Sequence, residues 1–166
     1  MKIFTIQKNK KSMLNIKQGF TLIELLVVIA IMALLGSILW GGLSSYRDVQ
    51  ALESATDVVV ATLGEARSRA TSSVGNKQYG VHFTENSVTQ FEGTQYVSSS
   101  PSNIVTNLNG AVSLSFGGLT ASSSEIVFEK FSGRGSASGQ VVIFLRGNPA
   151  KNFTVVMEPT GIAYRK

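Results

Sequence analysis

Glu24 is the only charged residue between Lys17 and Arg47, inside a run made mostly of leucine, isoleucine, valine and alanine. A carboxylate in such a run is expensive in lipid and marks function rather than packing. Gly19 is the second chemically suggestive position. It stands at the border between a lysine-dotted leader and the apolar run, whereas a secretory signal is cut after its apolar region, at small residues. The other reactive types are poorly placed for catalysis. His82, the only histidine, alternates with Val81 and Phe83, and no acid stands at a recognisable spacing to orient it. No serine lies in a G-x-S-x-G elbow. Cysteine is absent, which excludes disulfides, thiolate metal sites and cysteine nucleophiles. The run from Gly133 to Gly139 has the glycine density of a phosphate-binding loop, but a β-branched strand follows it where such loops need a helix N-terminus. It reads as a strand connection. No catalytic residue, cofactor or metal site is expected, and the chain reads as non-enzymatic.

The elements that position these residues follow from periodicity. From Phe20 to Trp40 the chain is apolar except for Glu24, about the 20 residues that cross a bilayer as a helix. After Tyr46 the pattern turns amphipathic. Val49, Leu52, Thr56, Val59, Leu63, Ala66 and Ala70 recur at steps of three and four, and the charged residues fall largely off that stripe. No proline interrupts Phe20 to Ser73, so one helix of about fifty residues is expected, some 75 Å long at about 1.5 Å per residue. Gly41-Gly42 is the place where it would loosen most readily. The segment Thr71 to Asn76, with poor helix formers and Gly75, ends it.

Beyond Gly75 the period becomes two. Tyr79, Val81 and Phe83 alternate inward, Glu85-Asn86-Ser87 turns, and Val88 to Tyr96 returns as a partner strand. Ile104, Thr106 and Leu108 pair by pattern with Val112, Leu114 and Phe116 across Asn109-Gly110, a hairpin signal. Gly117-Gly118 and Ser122 to Ser124 bracket a loop, and Ile126 and Phe128 point inward. Val141 to Leu145 reads as a buried strand, Arg146 to Lys151 as a turn, Phe153 to Met157 as a strand, and Ile162 to Tyr164 as the closing strand. At 166 residues the chain has room for one anchor helix and one modest domain.

Charge sharpens this division. Lys and Arg total 15 against 10 for Asp and Glu. Lys2, Lys8, Lys10, Lys11 and Lys17 account for the whole excess, so the chain from Phe20 onward is neutral. Basic residues beside an apolar span stay cytoplasmic, which sends the C-terminal domain across the membrane. After Glu129, the cations Lys130, Arg134, Arg146, Lys151, Arg165 and Lys166 face only Glu158.

Gly19-Phe20-Thr21-Leu22-Ile23-Glu24-Leu25-Leu26 closely resembles the processing site of type IV prepilins and type II secretion pseudopilins. The later order is Phe128, Gly133, Ser136 and Gly139, then Val141 to Leu145, Phe153 to Met157 and Pro159-Thr160-Gly161-Ile162. This order, with Ala66-Arg67-Ser68-Arg69-Ala70, resembles the H-type (GspH) minor pseudopilins and FimT minor pilins. The resemblance implies cleavage between Gly19 and Phe20 by a prepilin peptidase, N-methylation of Phe20, and a Glu24 that receives a neighbouring subunit's Phe20 amine during assembly. It further implies a pilin-like α+β fold, a long N-terminal helix packed on an antiparallel β-sheet domain. The expected division is leader 1–19, membrane-spanning half-helix 20–46, amphipathic half-helix 47–73 and β-rich domain 75–166. Met1 and Met13 are both possible starts, and either gives the same mature chain. The implied partners are other pilin or pseudopilin subunits, the prepilin peptidase and methyltransferase, the inner-membrane assembly platform and membrane lipid. The implied location is the inner membrane, spanned once, with the N-terminus cytoplasmic, the domain periplasmic or extracellular, and final assembly into a filament of a type II secretion or type IV pilus system. The alternative is a minor pilin that binds DNA for uptake through Arg134, Arg146, Arg165 and Lys166. Some FimT-type pilins use a basic G-R-x-R tail for this. Here Gly161 to Lys166 lacks its first arginine.

Overall fold

The computed structural model describes residues 19–120 and 124–166, with the backbone alone for 38–45. The leader residues 1–18 and Ser122-Ser123 lie outside the described residues, as do the side chains of Trp40, Gly41 and Gly42. The chain divides into two compact units, Met1–Gly41 and Gly42–Lys166. Helix α1 (Leu22–Thr71) runs 50 residues and contains that boundary.

In the first unit the described side chains of α1 are exposed, including Leu22, Ile23, Leu25, Leu26 and Ile29. A helix apolar on every side is not one that packs a single face on a sheet. Among the described residues no helix is long and apolar enough to cross a membrane. The sequence continues the apolar run to Trp40, through positions whose side chains are not described.

In the second unit α1 buries Leu52, Ala55, Thr56, Val59, Leu63, Ala66 and Ala70. The expected stripe therefore holds from Leu52 onward. Val49 does not belong to it, being 40% exposed, while Asp48 and Ala51 are half-buried, so the covered face of the helix passes through those two positions instead. Thr56 is tolerated in the core because its hydroxyl donates to the Leu52 carbonyl at 2.8 Å, the local bond that a buried threonine needs. The helix gives way to a short 3-10 turn at Val74–Asn76, entered through Ser73 in the left-handed region.

Among the described residues eight antiparallel strands form two sheets. Strands β1 (Tyr79–Phe83), β2 (Ser87–Glu92), β3 (Ile104–Asn107) and β5 (Glu125–Phe128) make one, ordered β3-β2-β1-β5. Strands β4 (Val112–Leu119), β6 (Gly139–Leu145), β7 (Asn148–Met157) and β8 (Ala163–Arg165) make the other, ordered β4-β6-β7-β8. Side chains from both sheets and the α1 stripe share one core, including Phe83, Ile126, Phe128, Val141, Ile143 and Val155. Burying each such side chain stabilises the fold by about 1.5–3 kcal/mol. The α+β class expected from sequence is the one observed.

Four local expectations need correction. The hairpin across Asn109-Gly110 does not form. β3 pairs with β2 and β4 with β6, so the Asn109-Gly110 turn carries the chain from one sheet to the other. Asn109 still makes its turn, accepting from the Ala111 and Val112 amides at 2.9 Å. Ile104 and Val105 are exposed, consistent with an edge strand rather than half of a buried hairpin. Gly117-Gly118 lies within β4 at a register shift, where Gly118 runs so close to the Gln140 carbonyl of the neighbouring strand that a Cβ there would press on it. The turn expected over Arg146 to Lys151 is tighter, since Leu145 already pairs with Asn148. The strand Val141 to Leu145 also alternates, with Val142 and Phe144 only half-buried.

Candidate functional site

In the first unit the site is the start of α1. Gly19 and Phe20 precede the helix and are exposed, Phe20 at 83%. Thr21 takes the N-cap position, its hydroxyl accepting the Glu24 amide at 3.3 Å. The first full helical bond follows, from the Leu25 amide to the Thr21 carbonyl at 3.2 Å. Glu24 thus sits in the first turn, where a negative side chain is favoured by the exposed amides and the helix dipole. Thr21-x-x-Glu24 is also the spacing of a capping box. The carboxylate has no partner among the described residues, so it is open to one from outside. Thr21 was the residue missed from sequence, although the T-x-x-E signal ahead of an apolar run was there to be read.

In the second unit the glycine-rich motif turns out to be a lock on the helix end. Gly133 (φ +65) and Gly161 (φ +82) both occupy the left-handed region, and a Cβ on Gly161 would overlap the Gly133 carbonyl oxygen. That same oxygen accepts from the Arg67 guanidinium at 3.3 Å, and a Cβ on Gly133 would meet Thr71 and Arg67. The two glycine turns therefore meet backbone to backbone, and α1 closes on them through the Arg67 and Thr71 side chains, at a spot where only glycine fits. No sequence pattern identified Arg67 as the helix residue that closes this contact.

The four cations proposed for DNA do not converge. Arg146 follows β6, where its guanidinium donates to the Val112 carbonyl at 3.2 Å and to Asn86. Arg165 stacks over the Phe153 ring at 3.6 Å and lies 3.9 Å from Glu53. Lys166 is exposed beside it and donates its amide to the Thr154 carbonyl. Arg134 is exposed in the loop that packs on Arg67 and Thr71. The residues on either side of Arg146, Leu145 and Gly147, line a hollow with Asp48 of α1. From Asp48 to Arg67 and Thr71, α1 rises about 30 Å, so the cations are strung along the helix.

His82 is half-buried and stacks face to face on Tyr96, with centroids 4.0 Å apart. Its Nδ1 lies 3.5 Å from the Ser124 hydroxyl. Tyr96 also packs edge-on to Phe91 and donates its amide to Glu125 at 3.1 Å. Burial holds the imidazole below its ordinary pKa, with nearby Glu125 opposing. These contacts clip the loop after β2 onto the outer face of its sheet. Among the described residues there is no group of three or more potential metal ligands.

Residues 14–40 match the prokaryotic N-terminal methylation motif. The fold is similar to the type IV minor pilin FimU of Pseudomonas aeruginosa. In one crystal form the TM-score is 0.57 at 13% identity, over 73% of this chain and 92% of that one; in another it is 0.54 at 14% identity, over 69% and 92%. It is also similar to the minor pseudopilin EpsH from the type 2 secretion system of Vibrio cholerae, with a TM-score of 0.52 at 14% identity, over 69% of this chain and 95% of that one. No curated protein sequence matches the chain.

Proposed function

We propose that this type IV prepilin-like chain is a structural minor subunit of a type IV pilus or type II secretion filament. One observation carries the reading. The methylation motif over residues 14–40 brackets Gly19 and Phe20, and the helix that follows holds Glu24 in its first turn. In this reading a prepilin peptidase cuts after Gly19 and Phe20 becomes the N-methylated terminus. The apolar part of α1 holds the processed chain in the inner membrane, its N-terminus cytoplasmic and residues 75–166 on the far side. An assembly platform then draws it into the filament.

Extraction leaves a Phe20 amine, a cation, in apolar surroundings. A single buried charge is costly, and its attraction to an opposite charge rises several-fold out of water. Glu24 of the adjacent subunit supplies that charge, already fixed near the terminus by the Thr21 cap. The subunit contributes packing surface and charge pairing, and no bond-making chemistry is assigned to it.

The test is the N-terminus of the protein isolated from its host. Intact mass and N-terminal sequencing should give a chain beginning at methylated Phe20, and a bulky residue in place of Gly19 should leave the leader attached. A terminus downstream of Ala33 would mean an ordinary signal peptide and overturn the reading.

A further inference from the structure

Among the described residues, left-handed backbone outside glycine is gathered at one place. The non-glycine residues with positive φ among the described ones are Ser73, Asn76 and Phe131, and all three meet at the C-terminal end of α1. The Ser73 and Phe131 amides both donate to the Ala70 carbonyl, at 3.0 and 3.2 Å. The Lys130 ammonium ties the two loops together through the Asn76 carbonyl and side-chain oxygens at 3.3 and 3.0 Å. At the tip stands Phe131, with φ 62 and 73% exposure. A bulky side chain in the left-handed region is a true outlier, and such strain collects at functional positions. Phe131 combines this strain with the exposure of an aromatic ring, and Val74 in the 3-10 turn is also exposed. Lys130 and Arg134 flank the ring in sequence, and the Arg134 guanidinium has no partner among the described residues.

The complementary surface is on the outer face of the same helix. Gln50, Glu53, Ser54, Asp57, Val58 and Ala61 line a shallow groove, one helical stripe set opposite the buried one. Glu53 and Asp57 are like charges four residues apart, an arrangement that is unfavourable until a cation joins it. Asp57 has no partner among the described residues, and Glu53 has only the 3.9 Å approach of Arg165. Between Asp57 and Ala70 the helix rises about 20 Å, so the Phe131 loop does not reach the groove of its own chain.

The geometry points to a contact between two copies of this chain. Phe131 of one copy seats on Val58 and Ala61 of the next, and Arg134 meets Asp57. Knob and groove occupy different parts of the surface, so each copy can offer its knob to one neighbour and its groove to another. It deepens the filament reading above and rests on it.

The absence of cysteine makes the test clean. Full-length Ser132→Cys and Ala61→Cys chains with different tags are produced together in the native host and oxidised in intact cells. The expected product is a mixed disulfide pair that neither chain forms alone. Arg134→Glu on the first chain, or Asp57→Arg on the second, should lower its yield about fivefold, and the two together should restore it. Phe131→Gly should lower the yield about tenfold, as loss of an aromatic anchor does, while raising the thermal midpoint because the strain is relieved. A pair insensitive to these charges, Ser132→Cys caught on a different subunit, or no pair from chains that have lost their leader would overturn the contact alone. Chains that keep the leader would overturn the functional reading, and the cross-link would still decide the contact.

Discussion

Replacing Leu63 by alanine tests the placement of α1 on the sheets. Leu63 is 1% exposed within the shared core. The substitution removes about three carbons, a transfer loss of about 2.4 kcal/mol. The cavity left among the surrounding core side chains relaxes only in part and brings the total to about 3–4 kcal/mol. For a domain of this size that corresponds to a fall of about 10 °C or more in thermal midpoint. The matched control is Glu65→Ala, two residues away on the exposed side. Its carboxylate pairs with Arg69 at 2.6 Å, but both side chains are well exposed, so solvent screening leaves about 0.3–0.5 kcal/mol, or roughly 1–2 °C. The assay is thermal unfolding by circular dichroism on a chain truncated just before Tyr46, which removes the apolar half-helix and keeps the packed stripe. A soluble monomer with mixed helix and strand is expected. A silent Leu63→Ala beside a severe Glu65→Ala would show that the helix presents the opposite face.

Gly161→Ala should destabilise the same domain by about 2 kcal/mol or more, through left-handed strain and its collision with the Gly133 carbonyl; urea unfolding measures it. Stability should also depend on pH through His82. Its folded pKa is depressed by burial from 6.5, so the stabilisation is fully present above that value and is lost as pH falls below it, where the unfolded chain takes up the proton first. His82→Phe should flatten this slope in urea midpoints measured from pH 7.5 to 5, conditions of about one unit either side of the free imidazole value. For DNA, the soluble domain should bind negligibly at physiological salt, because its cations are dispersed along the helix. Tight binding whose salt slope falls by about two units in Arg165→Ala/Lys166→Ala would instead establish the uptake reading.

The helix was legible because its signals are local. An apolar run, a change to period 3.6 and a glycine-containing stop each depend only on neighbours along the chain, and Leu52 to Ala70 came out buried as read. Val49 falls off the stripe because the covered face passes through Asp48 and Ala51, a direction set by the sheets and not by the helix's own period. The strands were legible individually but not in their pairing. Alternation on both sides of Asn109-Gly110 suits a hairpin and a crossover between sheets equally well, and partners distant in sequence, β2 and β6, decided it. The glycine motif could be read as turns, but that Gly161 lies against Gly133, with Arg67 clamping both, depends on residues nearly a hundred positions apart. Phe131 gave no sequence signal, since nothing in its type suggests a left-handed backbone.

The most direct test of the account is incorporation of Glu24→Val into filaments, measured by cross-linking or co-purification with partner subunits. A residue that only anchors or caps would lose little. Membrane insertion would even improve, since a carboxylate opposes it by up to about 3 kcal/mol. Thr21→Ala serves as the control, removing the hydroxyl cap at a cost of about 0.5–2 kcal/mol while leaving the charge. The account predicts that Glu24→Val is still processed and retained in the membrane while its incorporation collapses, that Glu24→Asp recovers part of it, and that Thr21→Ala keeps most of it. Glu24→Val entering filaments as well as the parent chain would contradict the charge-pairing mechanism.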